Sequence, residues 1–503
     1  MKRHKQMNFI YKVYRLGILL LTVTLLFGCS STSVTTKVEE AKPTEISIMV
    51  PLHFPHSPSE ESIALLEQLT NTKLELSWVP DGIYSDKMNT ALTTNSYKKV
   101  MFEKYTDYVS VKSSIRTGAF WEIGPYLEQF PNLKQLNQDI LLQTAVDGKI
   151  YGLYTERQSS RQGIIVRKDW LHNLSMKEPT TINELYEILY AFTHEDPDQN
   201  GKDDTIGLTD RNDLIYGAFK TLSSYFGSPN NWELTDDTFI PEFETDAYMN
   251  TMKFMKKLYD EKLINVDFPV TSKEMQRELL IRGTAGVYIG AMTDVQRLYE
   301  EAKQFNDTVE FTVINRIEGP YGNRIWSIPN FNGIYLFSKK AIPTEDELLK
   351  VLAFFDRTMD ADVANLLHYG IEDKHYTIEN GKVILSEELS ALRSQEVNAL
   401  YSLMIADLSN SNVMEVAKQH HLWSYAEQLI EDNNEFLVLD PTVGFESLTY
   451  DEHGSELFRI ISDATYNYIL GAIDENGYKE KIKLWQQSGG DQIIAEYSND
   501  YFN

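Results

Sequence analysis

Residues 45–80, "EISIMVPLHFPHSPSEESIALLEQLTNTKLELSWVP", decide the fold. The opening "EISIMVP" (45–51) alternates and is rich in Ile and Val, the pattern of a strand. A helical stretch follows, with Ile63, Leu66 and Leu69 on one face, and "LELSWVP" (74–80) is a second strand. Strand, helix, strand in this rhythm indicates parallel packing with helical crossovers. A helix near Tyr84 to Thr93 and a short strand in "KKVMF" continue it. The fold class is therefore α/β.

From about residue 181 the chain turns more helical. "TINELYEILYAF" begins with Thr181 and has Glu184 at capping-box distance. "ETDAYMNTMKFMKKLYDEKL" places Tyr248, Met252, Met255, Tyr259 and Leu263 three or four residues apart, a stripe that suits a core better than a ligand. "TEDELLKVLAFFDRTMD" and "SELFRIISDATYNYILGAI" are further amphipathic helices, and two last helices are split by Gly489-Gly490. A late strand-like "FNGIYLFSKKA" fits a chain that leaves one lobe and returns to it. The length exceeds one ordinary domain and predicts two lobes.

The N-terminus is a separate matter. Lys2, Arg3, Lys5, Lys12 and Arg15 precede an apolar run from Leu16 to Phe27, which has the length of a secretory signal and is short for a membrane span. The run ends in "LLFGCS" (25–30), which holds the only cysteine of the chain. A small residue before a cysteine at that place resembles the lipobox of bacterial lipoproteins. The resemblance implies cleavage before Cys29 and lipid attached to it, which places the protein on the extracellular face of the cell membrane. An ordinary signal peptide with an incidental cysteine is the other reading. Residues 29–44 are small and polar, as in a flexible tether.

The formal charge is −27, with 47 basic against 74 acidic residues. That argues against a nucleic-acid partner, which calls for a basic patch. Cys29 in a lipid anchor leaves no thiol for a disulfide, a nucleophile or a metal. There is no G-x-S-x-G, H-E-x-x-H or P-loop. His420 and His421 are adjacent, and neighbours on a helix diverge by roughly 100°. A carboxylate pair of glycosidase type is available in any acidic chain, and none is singled out.

Several stretches carry a wider resemblance: "VDGKIYGLYTERQSSRQGIIVRKDWLHNLSMKEPTTINELYEIL" (146–189), "DPDQNGKDDTIGL" (196–208), "YGIEDKHYTIENGKVIL" (369–385) and the C-terminal "LGAIDENGYKEKIKLWQQSGGDQIIAEYSNDYFN". In this order they resemble the extracellular solute-binding proteins of carbohydrate ABC importers. The branch is that of large lipoproteins typical of Gram-positive bacteria, similar to alginate-type oligosaccharide binders. The resemblance implies a two-lobed periplasmic-binding-protein-like fold of type II, each lobe a mixed sheet flanked by helices, with the ligand in the cleft between them. The expected division is 45–152 plus 333–395 for lobe 1 and 153–332 plus 396–503 for lobe 2. It also implies a non-catalytic monomer that hands an oligosaccharide to an ABC permease. The alternatives are a surface lipoprotein enzyme acting on polysaccharide, or a binder of another solute such as a peptide.

Two sets of residues follow as candidates. Asp196, Asp198, Asn200, Lys202 and Asp204 occupy positions 1, 3, 5, 7 and 9 of an EF-hand-like loop, with Gly201 at the turn. Lys202 would contribute only its backbone carbonyl. In the resembling family this loop binds Ca²⁺, here expected as a structural ion between helical segments; a solvated Asp-rich turn is the other reading. For the cleft, sugars call for aromatic platforms and planar polar groups. The loop after the first strand offers His53 and Phe54, and "YTERQSSRQ" offers Tyr154, Glu156, Arg157 and Arg161. "GVYIGAM" offers Tyr288, and "NRIWSIPNFNG" offers Arg324 and Trp326, with Trp232 and Trp423 behind them. Each Trp suits a core position equally well, and Trp170 reads as structural. Arg157, Arg161 and Arg324 are able to pair bidentately with a carboxylate, which admits an acidic sugar such as a uronide. They suit surface ion pairs equally.

Overall fold

A computed structural model describes residues 42–236, 238–417 and 420–502. The signal segment, Cys29 and most of the tether lie outside the described residues. Strands β1 (Thr44–Leu52), β2 (Thr72–Pro80), β3 (Val100–Lys104) and β4 (Gly152–Glu156) come first. Then follow β5 (Gln162–Arg167), β6 (Ile206–Thr209), β7 (Ala285–Ala291), β8 (Phe311–Ile314) and β9 (Phe331–Phe337). Among the described residues they form a five-stranded sheet, β2-β1-β3-β9-β4, and a four-stranded sheet, β8-β5-β7-β6. In the first, β1 runs parallel to β2 and β3, while β9 is antiparallel to β3 and β4. In the second, β6 and β7 are parallel and β5 is antiparallel to β7 and β8. Both sheets are mixed, and the protein is the expected two-lobed α/β molecule.

The opening stretch folds as its pattern dictates. Ile46, Ile48 and Val50 of β1 are buried in the first core. Helix α1 (Glu60–Thr70) starts where Ser59 accepts a hydrogen bond from the Ser62 backbone and ends at Asn71 in the left-handed region. Helices α2 (Tyr84–Thr94) and α3 (Tyr108–Arg116) flank the same sheet, and α3 buries Tyr108, Val111 and Ile115 in the first core.

The second core is built around β5 to β8 by α4 (Ile182–His194), α5 (Ala218–Phe226), α6 (Asp246–Asp260) and α7 (Lys273–Ile281). Thr181 and Glu184 close a capping box at the start of α4. The stripe of α6 is core, with Tyr248, Met252 and Met255 all buried. Helix α8 (Glu345–Thr358) returns to the first core. Helices α9 (Leu448–Ile469), α10 (Glu475–Trp485) and α11 (Asp491–Phe502) belong with the second lobe, and Gly489 takes φ 133° at the break before α11. The first core holds Leu153, Tyr154, Val397, Leu400 and Ala406, so these residues, expected in lobe 2, pack with lobe 1.

Segments near 157–161 and 328–330 carry the chain from one core to the other, and a third segment leaves the first core after Ala406. The first two are tied together, since Arg157 N–H donates to the Asn330 carbonyl at 2.9 Å and Ile328 N–H to that of Ser159 at 2.7 Å. The third joins them where Ser409 N–H donates to Glu156 Oε2 at 2.6 Å.

Candidate ligand-binding site

A cavity of about 670 Å³ lies where the two lobes and the first crossing segment meet. The first lobe supplies His53 after β1, Asp81 after β2, and Phe102, Lys104, Tyr105 and Thr106 at the end of β3. The second lobe supplies residues 211–213 and Tyr216 after β6, residues 270–273 entering α7, and Tyr288 and Ala291 of β7. Arg157, Arg161 and Gln162 line it from the crossing. Most of these residues follow the carboxyl ends of strands. That is where open α/β sheets bind ligands, because loops leaving the strand ends diverge there.

The electrostatics oppose those of the whole molecule. Five cationic side chains, Lys104, Arg157, Arg161, Arg211 and Lys273, line the cavity against two carboxylates, Asp81 and Asp213. Asp81 lies 3.3 Å from His53 Nδ1 and 2.5 Å from Lys104 Nζ. These contacts, led by the His53 hydrogen bond, hold its carboxyl well below the usual range. Arg211 donates to Asp213 at 3.0 Å and to Gln276 Oε1 at 2.8 Å. Arg157 stacks 4.7 Å over the Tyr105 ring and donates to the Pro329 carbonyl at 3.2 Å and to the Tyr216 hydroxyl at 3.3 Å. Burial pulls the Lys273 ammonium down. Its nearest acid, Asp294, is 4.0 Å away and also accepts from Arg277 at 2.7 Å and from the Tyr288 hydroxyl at 2.9 Å.

Four of the sequence candidates come together here: His53, Arg157, Arg161 and Tyr288. The others lie elsewhere. Phe54 is half-buried beside His53 and does not line the cavity. Tyr154 is fully buried in the first core, where its hydroxyl accepts from Asn137 N–H at 2.8 Å. Glu156 is buried and ties the crossings together. Trp326 is in the second core, its Nε1 donating to Thr221 Oγ1 at 3.1 Å. Arg324 donates to the Ser228 carbonyl at 3.1 Å and borders a separate shallow groove with Tyr321 and Phe436. Trp232 packs against Trp485, and Trp423 is half-buried on a helix outside the cavity. Sequence reading missed Lys104, Tyr105, Arg211, Tyr216 and Lys273. The signal was there: Lys104–Tyr105 and Arg211 stand at or just beyond strands ending in "VMFEK" and "IGLT".

The acidic loop leads from α4 into strand β6, not into another helix as expected. Asp196 accepts from the backbones of Asn200 and Gly201, both at 3.0 Å, and the Asn200 amide donates to Asp198 at 2.7 Å and to Asp204 at 3.1 Å. Partial burial, with Asp196 and Asp204 alongside, raises the Asp198 carboxyl. Among the described residues no three His, Cys, Asp or Glu side chains converge as an ion's ligand shell. The Thr205 hydroxyl is engaged with the Phe192 carbonyl at 2.8 Å.

Residues 57–338 match the family described as bacterial extracellular solute-binding protein. Over 500 residues, 98% of each chain, the sequence is 41% identical to the polygalacturonan/rhamnogalacturonan-binding protein YtcQ of Bacillus subtilis (strain 168). This chain belongs to the bacterial extracellular solute-binding proteins. The solute-binding protein is also 33% identical to the lipoprotein LipO of Bacillus subtilis (strain 168), over 96% of this chain and 97% of that one. Its fold is that of the alginate-binding protein AlgQ2, with a TM-score of 0.72 at 17% identity, covering 92% of this chain and 99% of that one. An HMO binding, ABC-transporter associated solute-binding protein from Bifidobacterium longum infantis ATCC 15697 gives the same TM-score of 0.72 at 16% identity, with the same coverage of 92% and 99%.

Proposed function

We propose that this solute-binding protein captures an oligosaccharide containing uronic acid and presents it to the permease of a carbohydrate ABC importer. The observation that carries the reading is the surplus of cations in the cavity of a chain whose net charge is −27. A cleft of one sign with low-dielectric walls concentrates ligands of the other sign. Tyr105 and Tyr216 add flat faces for sugar rings. The name of the relative YtcQ, a binder of polygalacturonan and rhamnogalacturonan, agrees with an acidic pectin-type ligand. The protein acts as a non-catalytic monomer, and closure of the lobes on the sugar is the state the permease reads. Lipid on Cys29 would moor it outside the cell, a reading supported by "LLFGCS" and by the lipoprotein LipO as a relative.

Titration calorimetry with trigalacturonate and with neutral maltotriose tests this. The expected result is saturable heat with the acidic sugar alone and a raised Tm. A ligand at 100 times its Kd adds about 2.7 kcal/mol of stability. Selective binding of maltotriose, or new reducing ends after incubation with polygalacturonate, overturns it.

We also propose that Asp196, Asp198, Asn200, the Lys202 carbonyl and Asp204 hold a structural Ca²⁺. Hard oxygen donors on a tightly curled segment are what that ion requires.

A further inference from the structure

Arg161 differs from the other cations of the cavity. Lys104, Arg157, Arg211 and Lys273 each have an acid or an oxygen acceptor, as described above. Among the described residues the Arg161 side chain makes no hydrogen bond and no ion pair, and its Nε is buried without an acceptor. Burial and the adjacent Arg157 both disfavour its charged form. Of the groups that favour the charge, Tyr216 and Tyr401 are neutral phenols and Asp294 is shared by Arg277, Lys273 and Tyr288. A guanidinium cannot shed its charge at any ordinary pH, so an unmatched one at a cavity wall is a cost that only an incoming acceptor removes.

We propose that Arg161 receives a free carboxylate of the bound sugar, so that the site selects uronate units that are not esterified. A carboxylate offers two anionic oxygens to the guanidinium fork and takes both N–H groups in parallel. A methyl ester has no charge and only one good acceptor, and it leaves the fork unmatched. Arg157 strengthens the preference by adding positive potential beside it. The inference rests on the reading of the cavity as an oligosaccharide site.

The test measures binding of trigalacturonate and of its fully methyl-esterified counterpart to the full chain, to Arg161→Gln and to Arg161→Lys. The wild-type chain is expected to prefer the free acid at least tenfold. Arg161→Gln is expected to bind the two ligands alike, mainly by losing affinity for the acid. Arg161→Lys keeps a point charge without the fork and is expected to retain part of the preference, which serves if the Gln variant does not fold. Equal wild-type affinity for both ligands overturns the role of Arg161 and leaves oligosaccharide capture standing, as does a preference that survives in Arg161→Gln. Failure of the wild-type chain to bind either ligand overturns both.

Discussion

Asp210 shows how much a single buried side chain contributes outside the cavity. It follows β6, is fully enclosed, and its Oδ1 accepts from Ala218 N–H at 2.9 Å at the start of α5. Burial pushes its carboxyl up to about 7. The folded value lies above the unfolded one, so the stabilisation is complete below about pH 4 and is lost as pH rises through 7. Asp210→Asn keeps an oxygen acceptor and cannot ionise. Urea unfolding at pH 5 and pH 8 is expected to show the wild-type chain losing more stability than the variant, by on the order of 2 kcal/mol. At this scale the sequence was only partly legible. Arg157 and Arg161 stand on a segment whose composition announces polar contacts, and both line the cavity. Tyr154 and Trp326 carry the same aromatic signal as a sugar platform, but strand register turns them into the two cores. Register depends on pairing partners distant in the chain, which no local pattern reveals.

Helix α4 joins two elements whose local signals were clear. The Thr181 side chain accepts from Glu184 N–H at 3.2 Å, and Glu184 Oε2 accepts from Thr181 N–H at 3.2 Å. Thr181→Ala is expected to cost about 1 kcal/mol, measured by urea denaturation. The acidic loop leaves the other end of the same helix. Adding Ca²⁺ to chelator-treated protein is expected to raise Tm, and Asp198→Ala is expected to abolish that rise without changing the response to sugar. An unchanged Tm in the wild-type chain would leave the loop as an Asp-rich turn. Capping and turn motifs were readable because their partners lie within a few residues. The strand after the loop, Ile206–Thr209, has only four residues and gains its identity by pairing with β7, some eighty positions later.

The two-lobed architecture was visible from chain length and element rhythm, while the contacts that draw the lobes together were not. Lys112 and Arg116 on α3, in the first lobe, meet Glu446 and Asp451 at the start of α9, in the second. Arg116 lies 2.8 Å from Glu446 and 2.7 Å from Asp451, and Lys112 lies 3.2 Å and 3.4 Å from the same acids. The Asp451 side chain is only 4% exposed. Arg116→Ala is expected to lower stability by about 1–3 kcal/mol, because it leaves that carboxylate poorly matched. The same variant is expected to release bound sugar faster, which stopped-flow displacement would read. The bridge joins residues at least 330 positions apart in sequence, so only the folded chain brings its ends together. It also makes grip on cargo indifferent to the surrounding brine. Mobile ions screen charges that lie apart in water, and these pairs touch at 2.7–3.4 Å with Asp451 closed off from solvent, so a cell in concentrated salt would hold its catch about as long as one in dilute water.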